Sequence, residues 1–485
     1  MVMQTMQIRL TNGLINEIKI LVDLGIYPNV SEAVRDSVRM LVTSKETPKG
    51  IPPAREEEIK TIQEKIQKEV KEQFQNPKGT EDYYPEEMSI RNKVFDVLRK
   101  NALKFGFLEV DSPVIEDLDL LKAKQGDEII KQIFITEKKG DEELALRAEF
   151  TPSLARMFIA KQKAIPKPVK WFCINRVFRY EKPQAGRQRE FFQFNVEIYG
   201  CSKPEADAEI INLSIESLKS LGLNEKDFFV KINNRKLIQG LLSEIVEEKQ
   251  LEDVMRIIDK RKKISEDEFN SELEKIDITL DQIKKIKIFL DSKINNLNPK
   301  NELAKQGLKE LKEILKLVDK KFIKVDFSVV RGLAYYTGTV FEISDTKEKF
   351  RSIAGGGRYD NMIELFKGDK TPSTGFGMGY STLRLLLKEK GLLPKEDIGV
   401  DYYIAIVNKD VKEKAFEIAF NLRKKYRVDI DLMQRNLGNQ FDYANKIKAK
   451  NVIVIGPDEL KKGKIKIKNM KSGKEAEKAI EDINV

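Results

Sequence analysis

Hydrophobic and polar positions alternate at the start of the chain and then repeat at helical spacing. Residues 6–10 carry apolar side chains at every second position, which is typical of a short strand with one buried face. Helical spacing follows over 14–24, and a second helix is predicted to begin near Ser31. We therefore predict a strand-helix-helix module over 1–45. The strand has two open edges and needs a partner strand, which a symmetric dimer would supply.

The periodicity of the remaining chain divides it into further segments. Helical and strand patterns mix from 79 to 395, apart from 235–320, where nearly every position favours a charge-rich helix. After Pro394, strands and helices alternate, which is typical of a small α/β domain with parallel strands. The predicted segments are a linker and helix over 46–75, a first core part over 76–232, a helical insertion over 233–322, a second core part over 323–398 and the α/β domain over 399–485.

The same patterns predict individual elements. Helices are predicted over 57–74, 86–106, 411–425 and 438–449. Strands are predicted over 171–181, 190–199, 323–343, 351–355, 402–407, 427–431 and 451–455.

Composition excludes several kinds of chemistry. The 485 residues contain no histidine and only two cysteines, Cys173 and Cys201. Catalytic pairs of serine or cysteine with histidine are therefore excluded, and we expect no metal site built from histidine or cysteine. Lys and Arg number 88 against 78 Asp and Glu, a net charge of +10 that permits a polyanionic partner. No apolar run reaches the roughly 18 residues of a membrane span, so we expect a cytoplasmic protein without membrane contact.

The densest set of candidate binding residues lies between 178 and 197. Strand alternation places Phe191, Gln193, Asn195 and Glu197 on one face, which offers an aromatic ring, two amides and a carboxylate in a row. Arginines crowd the preceding strand and loop, and their forked groups suit phosphate oxygens. These features together indicate a nucleotide site with a polar pocket for a second small molecule. The alternative is an exposed hairpin with ordinary surface charge.

This stretch resembles motif 2 of class II aminoacyl-tRNA synthetases, in the form found in histidyl-tRNA synthetases. Further segments in the same order resemble the entry segment and motif 1 (78–82 and 107–113), the amino-acid-binding loop (146–151) and the two histidine signatures (331–338 and 354–360). The resemblance covers about residues 76–480. It implies a multidomain α+β and α/β protein, with an antiparallel-sheet catalytic core, a helical insertion and a C-terminal anticodon-binding domain.

The resemblance also implies a role for each matching residue. The catalytic residues would be Arg179 and Arg331. Residues that would bind histidine are Glu149, Thr151, Gln193, Glu197, Tyr335 and Tyr336. Residues that would bind ATP are Arg179, Arg187, Arg189 and Phe191. Contact with the acceptor end of the tRNA would fall to Lys182 and Gln184.

Four positions depart from the family pattern, and one of them is Phe192, where many relatives have histidine. Ala148 replaces the usual proline of the amino-acid-binding loop, and Ala334 replaces the usual aspartate of the first signature. In the motif 3 region, Thr382 stands where the family normally has an arginine, three residues after Gly379. Arg384 lies two residues further on, about 200° around a helix, so it is expected to face another way.

The activity that the resemblance implies is ligation of histidine to tRNA(His) in a homodimer. ATP and Mg²⁺ would give histidyl-adenylate, and the acyl group would then pass to the 3′ end of the tRNA. Two alternatives stay open. One is an inactive paralogue that senses histidine or serves as a regulatory subunit. The other is a DNA-binding regulator with a synthetase-like sensor core.

The N-terminal module over 1–45 resembles a ribbon-helix-helix DNA-binding domain. In that fold, two strands pair across a dimer and enter the major groove. The resemblance implies that Gln7, Arg9 and Thr11 face outward and contact base edges. The alternative is an element for dimerisation or tethering that has no role in binding nucleic acid.

Overall fold

The computed structural model describes residues 75–125, 130–138, 140–330 and 335–480, with isolated positions between 15 and 34. The chain divides into two units, Met1–Pro77 and Lys78–Val485. Described positions of the first unit are helical at Ile15, Ile18, Lys19, Leu21, Val22, Val30, Ala33 and Val34. The predicted N-terminal strand, with Gln7, Arg9 and Thr11, and the predicted helix over 57–74 lie outside the described residues.

The helices and strands of the second unit alternate over most of its length. The helices are α1 (Pro85–Lys104), α2 (Leu118–Gln125), α3 (Thr151–Lys161), α4 (Pro204–Ser220), α5 (Arg235–Leu242), α6 (Leu251–Lys260), α7 (Glu266–Glu274), α8 (Leu280–Leu290), α9 (Glu302–Leu317), α10 (Met362–Leu365), α11 (Tyr380–Glu389), α12 (Lys412–Leu422), α13 (Leu437–Lys446) and α14 (Pro457–Lys461). The strands are β1 (Leu108–Glu109), β2 (Ile115–Asp117), β3 (Leu144–Leu146), β4 (Val169–Phe178), β5 (Glu190–Tyr199), β6 (Phe228–Asn234), β7 (Ile323–Val325), β8 (Thr339–Asp345), β9 (Ala354–Arg358), β10 (Ser373–Gly379), β11 (Tyr402–Ile406), β12 (Val428–Ile430), β13 (Asn451–Ile455), β14 (Lys464–Asn469) and β15 (Glu475–Ala479).

An eight-stranded sheet forms the centre of the second unit. Its strand order is β1-β4-β5-β10-β9-β8-β6-β7. Neighbouring strands run antiparallel, except for the parallel pairs β1–β4 and β6–β7 at the two ends. This is the antiparallel core that the resemblance to class II synthetases implies. The strand predicted over 190–199 is β5 in full, whereas the strand pattern predicted over 323–343 is split between β7 and β8.

Strand β5 turns its apolar face to the main core. Phe192, Phe194, Val196 and Ile198 are buried in the same cluster as residues of α1 and α4. The ring of Phe192 meets that of Phe95 on α1 at 5.3 Å, in an edge-to-face arrangement. Since side chains alternate along a strand, the intervening polar positions must face the opposite side of the sheet.

The helical insertion follows β6 and consists of α5 to α9. Asn234 is the N-cap of α5, and its side-chain oxygen accepts hydrogen bonds from the backbone N–H groups of Lys236 and Leu237. Two glycines let α5 and α9 approach closely. A Cβ on Gly240 would lie 2.5 Å from the nitrogen of Ala304, and α9 carries a similar contact at its own glycine. The two helices therefore pack backbone against backbone.

The C-terminal domain has a five-stranded sheet with the order β12-β11-β13-β14-β15. Strand β11 runs parallel to β12 and β13, which confirms the predicted α/β arrangement with parallel strands. The last two strands were not predicted. Ile465 of β14 is buried, whereas Lys464, Lys466 and Lys468 lie near glutamates on the surface. Across the described residues, no helix combines the length and apolar character needed to cross a membrane.

Candidate functional site

A cleft of about 710 Å³ opens on the polar face of the eight-stranded sheet. Nine of the residues to which the resemblance assigns a role line it: Glu149, Thr151, Arg179, Arg187, Phe191, Gln193, Glu197, Tyr335 and Tyr336. Arg331 lies outside the described residues. Arg189, Lys182 and Gln184 are described but do not line this cleft. The cleft therefore brings together the residues expected to bind histidine with part of those expected to bind ATP.

Glycines on β10 make room for the polar side chains of β5. Gly375 lies opposite Glu197, and Gly377 lies opposite Asn195. A Cβ on Gly375 would come within 2.2 Å of Glu197 Oε2, and one on Gly377 within 1.9 Å of Gln193 Nε2. Any larger residue at these positions would displace the β5 side chains. The glycines thus let an amide and a carboxylate lie across the neighbouring strand and form the floor of the cleft.

Neighbouring side chains orient the carboxylate of Glu197. The hydroxyl of Thr151 donates a hydrogen bond to Oε1 at 3.1 Å, and the hydroxyl of Tyr359 donates to Oε2. The amide nitrogen of Asn195 is 3.5 Å from Oε1. Glu197 is 1% exposed. Sequence reasoning gave Tyr359 no role, although it lies two residues after the glycine-rich run 355–357 and within the second signature (354–360), and that position was the available signal.

Three tyrosine rings form one wall of the cleft. The hydroxyls of Tyr335 and Tyr336 are 3.4 Å apart, and their ring centroids are 4.5 Å apart. Both rings also contact the ring of Tyr359, at 5.9 and 6.1 Å. Adjacent residues on a regular strand face opposite sides, so a shared cleft requires irregular backbone here. In the structure, the strand predicted over 323–343 does not include this pair, because β8 begins only at Thr339.

Two acceptor oxygens on the floor of the cleft have no hydrogen-bond partner among the described residues. They are Oε1 of Gln193 and Oδ1 of Asn195, and both are buried. Buried polar atoms are normally paired, so such atoms in a cleft indicate where a ligand donates. Together with the Glu197 carboxylate, they suit a ligand that presents N–H groups or a positive charge.

The arginines that line the cleft cluster together and make part of it cationic. Arg179 donates from Nε to the carbonyl oxygen of Ala148 at 3.0 Å, and its guanidinium lies 5.4 Å from the ring of Phe191. Arg187 forms an ion pair with Glu181. Burial lowers the pKa of Arg187, and the positive charges of Arg351 and Arg179 lower it further. Guanidinium groups that crowd together in this way suit an anionic ligand, and an aromatic ring beside them suits a nucleobase.

The loop between β4 and β5 directs its side chains to two places. Its turn closes between Gln184 and Arg187, whose backbone groups exchange hydrogen bonds of 3.0 and 2.8 Å. Gly186 has a φ of +74°, a conformation that favours glycine in such a turn. Lys182 and Gln184 line a separate pocket of about 420 Å³. Arg189 donates to the carbonyl oxygen of Glu181 at 3.1 Å and does not reach the cleft.

Over the described residues, no group of three or more Asp, Glu or Cys side chains is arranged to hold a metal ion. The acceptor part and the cationic part of the cleft are thus formed by the protein's own amide, carboxylate, hydroxyl and guanidinium groups.

Comparisons with known proteins cover most of the chain. The family model for histidyl-tRNA synthetase matches residues 79–383, and an anticodon-binding-domain model matches 401–484. The histidine–tRNA ligase of Pyrococcus horikoshii is 39% identical over 420 residues, which cover 84% of this chain and 96% of that protein. The corresponding enzyme of Natronomonas pharaonis is 38% identical over 407 residues, 82% of this chain and 94% of that one.

Solved structures agree with the fold. The histidyl-tRNA synthetase of Nostoc sp. PCC 7120 superposes with a TM-score of 0.72 at 27% identity, covering 84% of this chain and 98% of that one. A Bacillus halodurans protein described as an ATP phosphoribosyltransferase regulatory subunit/histidyl-tRNA synthetase superposes with a TM-score of 0.66 at 22% identity, covering 79% of this chain and 98% of that one. At that identity, the second likeness shows the fold alone.

Proposed function

The chain belongs to the histidyl-tRNA synthetase family, and from that premise we propose that it acts in the cleft as a histidine–tRNA ligase. It activates histidine with ATP to give histidyl-adenylate and pyrophosphate, and then transfers the histidyl group to the 3′ end of tRNA(His). One observation carries this proposal: a buried, oriented carboxylate and a cluster of guanidinium groups line a single cleft.

The acceptor part of the cleft binds histidine. The carboxylate of Glu197 and the hydroxyl of Tyr335 contact the two imidazole nitrogens, and Tyr336 closes the pocket. Glu149, Thr151 and Gln193 bind the α-ammonium group, and the unpartnered Oε1 of Gln193 supports that assignment. A buried site built this way rejects analogues that lack the ring nitrogens, because they would leave its polar groups unpaired.

The cationic part of the cleft binds ATP. Phe191 stacks on the adenine, and Arg179 bridges the α-phosphate and the histidine carboxylate. Arg187 binds the distal phosphates, and Arg331 neutralises charge as the bond forms. The previously expected phosphate role of Arg189 would require a shift of its loop, since its guanidinium now lies 4.3 Å from the ring of Tyr180.

Activation needs no side-chain base. A carboxylate oxygen of histidine attacks the α-phosphorus of ATP, the bond between the α-phosphorus and the α,β-bridging oxygen breaks, and pyrophosphate leaves with that electron pair. The protein's contribution is to position both substrates and to stabilise the developing charge. The absence of histidine from the chain therefore does not impair this step. Mg²⁺ bound with ATP would neutralise charge on the phosphate oxygens.

We assign binding of the tRNA to two places. Lys182 and Gln184 meet its acceptor end beside the smaller pocket, and the domain over 399–485 binds the anticodon. For the rest of the chain, we propose the domain boundaries that were predicted from the sequence. A homodimer is proposed from the motif 1 region, where Leu103 and Leu108 are 51% and 64% exposed at the β1 edge of the sheet.

The test is histidine-dependent exchange of pyrophosphate into ATP, followed by charging of tRNA(His). Wild-type chain is expected to do both, and Glu197→Gln is expected to lose histidine-dependent exchange while still binding ATP. The competing function is a histidine sensor without catalysis, which the replacement of the motif 3 arginine by Thr382 favours. Histidine binding without exchange would support the sensor and reject the ligase.

We also propose that the module over 1–45 is a ribbon-helix-helix domain that binds DNA through Gln7, Arg9 and Thr11. Its described helical positions, at 15–22 and again at 30–34, support two helices in the expected order. The experiment titrates the full chain with DNA upstream of its own coding sequence at several salt concentrations. Binding that weakens with salt and with Arg9→Ala is expected. Absent or salt-insensitive binding would reject the proposal.

A further inference from the structure

One position in the cationic part of the cleft lacks the group that the family normally places there. Thr382 stands at the motif 3 position usually held by arginine, and it is 5% exposed. Its hydroxyl donates a hydrogen bond to the carbonyl oxygen of Gly186 at 3.4 Å. Thr382 therefore supports the turn that carries Arg187, and it has no charge to offer a phosphate.

The next arginine on the same helix does not fill that role. Arg384 forms an ion pair with Glu81 at 2.7 Å, and neither side chain lines the cleft. Burial alone would lower the pKa of Arg384, but the hydrogen bond and charge of Glu81 raise it overall. The pair keeps Arg384 charged and directed towards a carboxylate outside the cleft.

Most cations that do line the cleft are already engaged. Within the described residues they are Arg179, Arg187, Lys231, Lys262 and Arg351. Lys231 forms an ion pair with Glu348 at 2.5 Å, and Lys262 forms one with Asp326. Arg179 and Arg187 have the partners described above. Arg351 is exposed and makes no hydrogen bond or ion pair with the described part of the chain.

Arg351 lies close enough to Arg187 to affect its titration. After burial, the charge of Arg351 is the largest cause of the lowered pKa of Arg187, ahead of that of Arg179. Like charges gathered in one cleft repel one another, and an anion bound between them removes that repulsion. Arg351 and Arg187 line the same cleft, so Arg351 lies within the site where the phosphates of ATP are expected.

Resting on the proposed function, we propose that Arg351 is a further ATP-binding residue, which contacts the distal phosphates together with Arg187. Guanidinium groups bind phosphate oxygens through paired, charge-assisted hydrogen bonds. Negative charge grows on the leaving pyrophosphate as the α-phosphorus is attacked, so Arg351 stabilises that charge as well. The loop before β9 thereby supplies the cation that Thr382 does not.

The experiment compares the binding of ATP and AMP to the full-length chain by calorimetry. AMP keeps the adenosine and the α-phosphate but lacks the distal phosphates. We expect Arg351→Ala to weaken ATP binding at least about tenfold and to leave AMP binding within about twofold, as fits the loss of a hydrogen bond to a charged group. Arg351→Lys keeps the positive charge but lacks the forked guanidinium, so its affinity for ATP should lie between those of wild type and Arg351→Ala. Lys347→Ala, which removes a cation of the same loop outside the cleft, is the matched control and should bind both as wild type does.

Two results would overturn the proposal. One is Arg351→Ala that binds ATP as wild type does, or that loses ATP and AMP affinity equally. The other is a wild-type chain that binds ATP no more tightly than AMP. Failure of the proposed function looks different: histidine-dependent exchange would be absent from wild type, while the preference for ATP over AMP and its dependence on Arg351 persisted.

Discussion

The guanidinium of Arg358 and the carboxylate of Asp207 form an ion pair across 2.9 Å, with both side chains 3% exposed. The pair joins β9 to helix α4 beneath the sheet. Thr374 on β10 donates a further hydrogen bond to the same carboxylate at 2.6 Å. Because Tyr359 directly follows Arg358, the pair fixes the end of β9 and the direction of the tyrosine that contacts Glu197.

Breaking this pair is expected to destabilise the fold. Asp207→Leu and Arg358→Met should each lower the free energy of unfolding by about 3–5 kcal/mol, because each removes the main partner of a buried charge. Arg358 would keep Asp360 as an ion-pair partner at 3.1 Å. The loss in free energy of unfolding in the double variant should be much smaller than the sum of the two single losses. Chemical denaturation of the four proteins measures this coupling, and single losses that add within about 0.5 kcal/mol would contradict it.

A glycine on β10 offers a test of the floor of the cleft. Gly377→Ala places a Cβ at the position now approached by Gln193 Nε2, the far end of a flexible side chain. We expect the fold to adapt while Gln193 moves, so that the KM for histidine in the exchange assay rises about tenfold, as for one lost charge-assisted hydrogen bond. The thermal midpoint should change little.

The matched control for this substitution lies on the same strand. Gly379→Ala introduces the same methyl group where nothing lies within 4 Å. It should leave both the KM for histidine and the thermal midpoint unchanged. Equal kinetic effects of the two substitutions would show that the strand, rather than the position of Gln193, is responsible.

Local patterns predicted the part of the site that lies on single elements. Strand β5 has the predicted bounds, and its alternation correctly placed Gln193, Asn195 and Glu197 on one face. The run Gly355–Gly357 in the second signature permits close backbone approach, since a Cβ on Gly356 would lie 2.1 Å from the carbonyl oxygen of Gly375. Strand alternation depends on neighbouring residues, and close approach depends on the missing side chain of glycine. Both can be recognised in the sequence.

Contacts between distant segments could not be predicted in the same way. Tyr359 meets Glu197 across 162 positions in the chain, because sheet order places β10 between the ends of β5 and β9. Arg147 is fully buried and donates to the carbonyl oxygen of Ser112 at 2.6 Å, an environment that its charge argues against. Strand β15 is mostly charged at the edge of its sheet, so its pattern indicates no buried face.

Removing one hydroxyl tests how Glu197 is oriented. Tyr359→Phe deletes the hydrogen bond to Oε2 and keeps the ring that packs against Tyr335 and Tyr336. We expect the KM for histidine to rise about tenfold or more and the KM for ATP to stay within about twofold. Steady-state exchange kinetics measure both. Tyr380→Phe, at a buried tyrosine outside the cleft, is the control, and a parallel rise in both KM values would contradict the assignment.

The ion pair between Lys262 and Asp326 predicts how stability depends on pH. Burial alone would raise the pKa of Asp326, but Lys262 and the hydrogen bonds from Ser328 lower it overall. A carboxyl whose pKa is depressed by folding stabilises the protein above its unfolded pKa of about 3.9, and this contribution is lost as the pH falls through the folded value. Asp326→Asn should therefore lower the free energy of unfolding by up to about 1 kcal/mol at neutral pH, the scale of a partly exposed pair.

The difference between wild type and Asp326→Asn should shrink as the pH falls below about 4, because the wild-type carboxyl then becomes protonated. Chemical denaturation at several pH values follows this change. Asp253→Asn provides a control in the same helical insertion, where Asp253 pairs with Arg256 at 2.9 Å and both side chains are at least 49% exposed. That exposed pair should contribute a few tenths of a kcal/mol at most. An Asp326→Asn protein as stable as wild type at neutral pH would mean that the Lys262 pair does not stabilise the junction between the insertion and the segment leading to Tyr335.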